Sequence, residues 1–164
     1  MPSLSPALFI PLLVLAGCTA QDTSNASVAG AEPGLSCRAA TEPARLLRCA
    51  AQHGQAHYRD QALACLPHSP PVRLRGVWVI ELEGSTFNEG AASYRPEMSH
   101  SIGTWLEPDH WSPEQTRSAQ GERVRAYLVE FVGRRSLCRG GYGHLGASPD
   151  EVLVDRFTSI REIF

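Results

Sequence analysis

The chain has 164 residues, a formal net charge of −2 and 43% hydrophobic residues. That length suits one domain with an appendage, and the near-neutral charge gives no general attraction to nucleic acid. All 15 basic residues are arginines, which reads as the codon bias of a GC-rich genome. Arg123, Arg125, Arg134, Arg135 and Arg139 are interleaved with strand-like residues and form no basic stripe.

Residues 1–17 contain no ionisable side chain. An apolar run from Ala7 to Val14, broken by Pro11, ends in Leu15-Ala16-Gly17-Cys18. The run falls short of the roughly 20 apolar residues that span a bilayer. A short apolar segment with small residues before a cysteine resembles a bacterial lipoprotein signal. The resemblance implies cleavage before Cys18, acylation of Cys18 (a palmitate-bearing N-terminus) and attachment to the lipid bilayer of the envelope. Met1 to Ser5 lacks the Lys or Arg usual in such segments. Thr19 in place of Asp after the cysteine implies the outer membrane, facing the periplasm. The expected organisation is a signal peptide at 1–17, a flexible tether at 18–36, a helical pair at 37–67 and a β-domain at 72–164. Residues 19–36 are rich in Ala, Ser, Thr and Gly without hydrophobic periodicity, as a tether requires.

With Cys18 acylated, Cys37, Cys49, Cys65 and Cys138 remain. An even number of cysteines in an exported chain predicts two disulfides, with three possible pairings. The cysteines lack the close spacing of a four-cysteine zinc site, so no metal is expected. In the region 37–67, Thr41 is the expected helix cap, followed by Glu42 and Pro43. Leu46, Cys49, Ala50 and His53 then share one face. Gly54 interrupts, and Tyr58, Ala62, Cys65 and Leu66 form a second short pattern before Pro67.

From Val72 the period changes to two. Leu74, Gly76, Trp78, Ile80 and Leu82 alternate with a second set that includes Val77, Val79, Glu81 and Glu83, predicting a long half-buried strand. Residues 85–99 read as loop, 101–106 as a short strand and 107–121 as a long polar loop. Val124 to Val132 and Val152 to Phe157 read as strands, with 158–163 extending the latter. About five strands with irregular connections predict a mainly β chain built on a small OB-like barrel. An open antiparallel sheet packed on the helices is the alternative.

Arg75-Gly76-Val77-Trp78-Val79, Glu83-Gly84-Ser85-Thr86-Phe87 and Tyr142-Gly143-His144-Leu145-Gly146 before Val152-Leu153-Val154-Asp155-Arg156 resemble uncharacterised bacterial extracytoplasmic domains. Those domains carry an OB-like barrel and a Gly-His-x-Gly turn before the last strand. The resemblance covers about residues 72–163 and implies a fold without an established activity.

Gly141 to Gly146 matches G-x-G-x-x-G literally. The dinucleotide fingerprint needs a helix after the glycines, whereas Pro149 and a strand follow here, so a strand connection with no cofactor is expected. His144 in that turn is read as fixing it through a local carbonyl. His53 and His57 stand four apart, but Gly54 occupies the position where a zincin has Glu. His100, Asp109 and His110 sit in loops that nothing in the sequence brings together. Glu81, Glu83 and Glu130 are the candidate carboxylates for glycosidase chemistry, and alternation assigns the first two to a solvated strand face.

Two functions follow as expectations. The first is a non-enzymatic lipoprotein whose barrel binds an envelope protein or glycan, with Tyr94, Trp105, Trp111 and His144 as binding residues and no catalytic residue. The second is an envelope hydrolase or metal enzyme using His100, His110 and His144. Convergence of two of these histidines with a carboxylate in one cleft would favour the second.

Overall fold

The computed structural model describes residues 36–54, 57–121 and 123–164. Cys18, the expected signal peptide and nearly all of the expected tether lie outside the described residues. Three helices lead into five strands: α1 (Cys37–Ala40), α2 (Pro43–Gln52), α3 (Tyr58–Cys65), β1 (Val72–Glu81), β2 (Gly84–Glu89), β3 (Thr104–Glu107), β4 (Arg125–Arg135) and β5 (Asp150–Glu162). A fourth helix, α4 (Pro113–Ala119), lies between β3 and β4. The strands close in the order β1-β2-β3-β5-β4, with β1 also pairing β4. All neighbours are antiparallel except β3 and β5. The sheet is therefore an OB-like closed barrel, and the open-sheet alternative is excluded.

The barrel interior holds Leu74, Trp78, Ile80, Phe87, Leu106, Tyr127, Val129, Phe131, Val152 and Val154. These residues alternate along their strands, as a period of two requires. Gly76 belongs to the inward set. A Cβ there would stand 2.9 Å from the Phe87 ring and 2.3 Å from the Asn88 carbonyl oxygen. Trp78 Nε1 donates to Ser85 Oγ at 2.9 Å, which satisfies the one polar atom of a fully buried indole.

From Gly76 to Glu81, β1 is buried on both faces rather than one. Val77 and Val79 pack outside the barrel with Met98 and Ala126, flanked by Tyr94, Leu128 and Ile163. Glu81 is buried too, accepting from the His100 backbone N–H at 2.5 Å. Leu82, expected inside, is 65% exposed at the β1–β2 turn.

Two segments read as loops are ordered elements. β2 occupies part of 85–99 because Gly84 to Glu89 pairs with β1 from Glu81 back to Gly76, although Gly84, Asn88 and Glu89 are residues that strands disfavour. In 107–121, Ser112 caps α4 and exchanges bonds with Gln115 in a capping box, with Pro113 in the first turn. β2 is thus an unexpected strand, whereas 158–162 continues β5 as the sequence reading expected.

Cys37 is bonded to Cys138 and Cys49 to Cys65. The first bridge ties α1 to the β4–β5 connection; the second joins α2 to α3. Glu42, rather than Thr41, caps α2, accepting from Ala44 N and Arg45 N. These bonds hold its carboxyl below the ordinary range. Thr41 instead ends α1. The expected apolar face of α2 has no buried residue, whereas α3 buries Ala62 and Cys65. Arg59 of α3 donates to the Val154 carbonyl at 3.1 Å and pairs with Asp155, which docks this helix on β5.

Candidate functional site

Trp105 and Glu107 lie two apart on β3, so the pleat sends both to the outer face while Leu106 enters the barrel. Trp105 Nε1 donates to Glu107 Oε2 at 2.9 Å. Trp111, carried by the chain leaving β3, donates its Nε1 to Glu107 Oε1 at 3.4 Å. One carboxylate thus gathers two indoles. Trp111 is further fixed by packing on Trp78, with ring centroids 5.7 Å apart.

Glu107 is 8% exposed. Burial pushes its pKa above the ordinary carboxylate value, and the nearby Glu151 adds to the rise. The two indole bonds and His57 act in the opposite direction. Glu151 stands beside Trp105 in the parallel β3–β5 register. It accepts from the Tyr58 hydroxyl at 2.8 Å, and its other oxygen is 3.8 Å from His68 Nε2. Burial first, then the charge of Glu151, raises the pKa of the Tyr58 phenol.

These groups border a cleft of about 640 Å³. Tyr58, Trp105, Glu107 and Trp111 form one side. Leu82 and Glu83 come from the β1–β2 turn, Ala119 and Gln120 from the end of α4, and Gly143 and His144 from the β4–β5 connection. The Glu83 N–H donates to the Ala119 carbonyl at 2.7 Å, which fixes the turn against α4. A second depression of about 260 Å³ shares Leu82, Glu83, Trp105 and His144 with the first and adds Glu81 and His100.

The two indoles and the imidazole expected to bind ligand, Trp105, Trp111 and His144, are therefore brought together. Tyr94 is not in this cleft. It stacks on Phe164 with centroids 4.4 Å apart and exchanges a hydrogen bond with Ser99 at 2.8 Å, covering the outer face of β1 and β4. His144 lies in a glycine-rich connection between the adjacent strands β4 and β5. Its side chain is half-exposed, and Nε2 lies 3.5 Å from Glu83 Oε2 rather than on a local carbonyl.

His100 and His144 converge on the second depression, each with its own carboxylate: His100 Nδ1 is 3.2 Å from Glu81 Oε2. His110 instead pairs with the adjacent Asp109 at 3.0 Å. Glu130 lies elsewhere, on β4, 3.5 Å from Arg75. Among the described residues, no group of three or more His, Cys, Asp or Glu is placed to hold a metal ion.

The strained backbone gathers here as well. Glu83, His100 and Leu145 have φ of 55°, 61° and 57°. Glu83 and His100 line the depressions, and Leu145 follows His144. Left-handed non-glycine residues concentrate where function over-determines the backbone. Leu145 is also 86% exposed and Ile102, at the second depression, 79%. Together with Leu82 they give the rim an apolar character that solvent alone does not favour.

Sequence reasoning overlooked Glu107, Tyr58 and Leu82. The signal for Glu107 was present: Trp105-Leu106-Glu107 on a strand places Trp and Glu on one face. Tyr58 carried no such signal, because its place at the cleft depends on α3 docking across β5. Comparison with known protein families, curated proteins and solved structures finds no match for this chain.

Proposed function

We propose that this chain is a bacterial envelope lipoprotein, acylated at Cys18, whose barrel is a non-enzymatic binding module. Its ligand seats in the cleft bordered by Trp105, Trp111 and Tyr58. The observation that carries this reading is the convergence of two indoles on one buried carboxylate beside an open cleft. Such a wall offers apolar contact area at low conformational cost, with one polar group to orient the ligand. The apolar rim and the clustered backbone strain support the same surface.

Two measurements test it. Mass spectrometry of the mature N-terminus is expected to show acylated Cys18; an unmodified N-terminus beyond that residue overturns the anchor. Saturation-transfer NMR of the detergent-solubilised protein against envelope-derived amines, amino acids, muropeptides and oligosaccharides is expected to reveal a binder. Its affinity should fall in Trp105→Leu. No binder in any class overturns the module.

A second reading, an envelope hydrolase, is favoured by the two His–Glu pairs of the second depression. It ranks behind because the His100 side chain is 87% exposed, and pre-organised acid–base chemistry works best where water is excluded. Hydrolysis of an envelope glycan or peptide that disappears in His144→Ala, with folding intact, would reverse the ranking.

A further inference from the structure

The cleft has a one-sided charge. Its ionisable lining consists of Glu83, Glu107, His144 and the phenol of Tyr58, and none of the chain's 15 arginines lines it. Glu107 is more than nine-tenths buried, and its hydrogen bonds come from two neutral indoles. Among the described residues it forms no ion pair. Behind it Glu151 is fully buried as well, holding Tyr58.

His57 attracts Glu107 only through space, and a carboxylate withdrawn from water without an ion pair in contact is costly. An anionic ligand would add to that cost, and an uncharged one would leave it standing. A cation would relieve it. The surrounding surface fits one kind of cation in particular. Trp105, Trp111 and Tyr58 supply aromatic rings, whose electron-rich faces attract positive charge. A primary ammonium is compact and strongly hydrated and brings three donors that all need acceptors. Each Glu107 oxygen already accepts one indole hydrogen, so the carboxylate has too few lone pairs left for three ammonium donors. An alkylated ammonium carries no such donor requirement, surrenders less hydration and presents methyl groups to the rings.

We propose that the cleft selects an alkylated ammonium group, with Glu107 as its counter-ion and the rings of Trp105, Trp111 and Tyr58 as its walls. This rests on the binding-module reading and names the ligand class for it. Glu83, exposed on the rim beside His144, adds negative potential along the approach.

The test uses choline and dimethylbutanol, its uncharged isostere with carbon in place of nitrogen, titrated into the detergent-solubilised protein at neutral pH. Calorimetry and tryptophan fluorescence read the affinity. Choline is expected to bind about ten-fold or more tightly than the isostere, and Glu107→Gln is expected to remove most of that preference, leaving only the part that Glu83 and the rings supply. Because Gln cannot accept from both indoles, near-ultraviolet circular dichroism checks that the variant is folded. Glu83→Gln, at an exposed position, provides a second variant. It should weaken choline a few-fold and leave the isostere unchanged.

Equal affinity for the two probes overturns the proposal. So does choline failing to bind while a neutral saccharide or an anion binds and is lost in Trp105→Leu; in that case the binding module itself stands. If no compound of any class binds, the module reading falls, and this inference with it.

Discussion

Gly143 lies against the face of Trp105: a Cβ at position 143 would stand 2.2 Å from Cε3 and 2.3 Å from Cδ2 of that indole. Its φ of +69° is left-handed as well. The glycine therefore does two things. It turns the β4–β5 connection, and it lets that connection close on the indole that walls the cleft.

Replacing Gly143 by Ala is expected to cost more than the same change at Gly90. Gly90 has a φ of +74° but nothing within 4 Å of a built Cβ. Gly90→Ala should therefore cost about 1–2 kcal/mol of backbone strain alone. Gly143→Ala should add the displacement of Trp105, seen as a changed near-ultraviolet tryptophan spectrum. Equal losses in denaturant unfolding, with an unchanged spectrum, would show that the glycine does not hold the indole.

The two disulfides should differ in weight. Cys37–Cys138 spans 101 residues and Cys49–Cys65 spans 16. In the chain-entropy account these loops correspond to about 4.7 and 3 kcal/mol. Paired Cys→Ala replacements compared by chemical unfolding check the order. A larger loss for the shorter loop would mean that local contacts of α2 and α3, rather than loop entropy, dominate.

Ser112 both caps α4 and receives the return of Gln115. Ser112→Ala should lower stability by about 1 kcal/mol. Because α4 holds the β1–β2 turn through Glu83 and Ala119, hydrogen exchange at the Glu83 amide should also accelerate. Unchanged exchange there would separate the helix from the cleft wall.

Glu107 should give stability a distinctive pH dependence. Burial raises its pKa in the folded chain above the ordinary 4.5, so the folded state holds this proton more tightly than the unfolded chain does. The corresponding stabilisation is fully present below pH 4.5. It is lost as pH rises through the elevated folded value. The stability of the protein minus that of Glu107→Gln, measured against pH, should therefore fall with rising pH across that window. A difference that is flat or rises would mean that the carboxylate is not destabilised by burial.

Much of the barrel was legible in the residues. Trp78, Ile80, Val129, Phe131, Val152 and Val154 alternate in runs long enough for the period of two to stand out, and these residues form the core. β2 was illegible because its two strand-favouring residues, Thr86 and Phe87, stand between Gly84 and Asn88-Glu89, which strands disfavour. These residues are extended because β1 lies beside them and supplies the hydrogen bonds. α4 was overlooked although its capping box is written in the chain: two prolines nearby outweighed Ser112 and Gln115 in the reading.

At the site, the aromatic residues were visible as types but not as partners. Tyr94, Trp105 and Trp111 read alike in sequence, yet Tyr94 closes the outer core on Phe164 while the two indoles meet on Glu107. The count of four cysteines for two bridges was also visible, but their pairing was not, because the position of Cys138 beside Cys37 follows from how the barrel meets α1.

By itself the sequence determined what depends on neighbours a few residues apart: strand periods, the need for glycine in the last connection, and the even number of cysteines. Tertiary structure decided which strands close the barrel, which cysteines bond, and that Tyr58, Glu107 and His144 border one cleft. These three come from α3, β3 and the β4–β5 connection. Contacts between such distant segments are set by packing and hydrogen-bond satisfaction over the whole fold, and no local pattern encodes them.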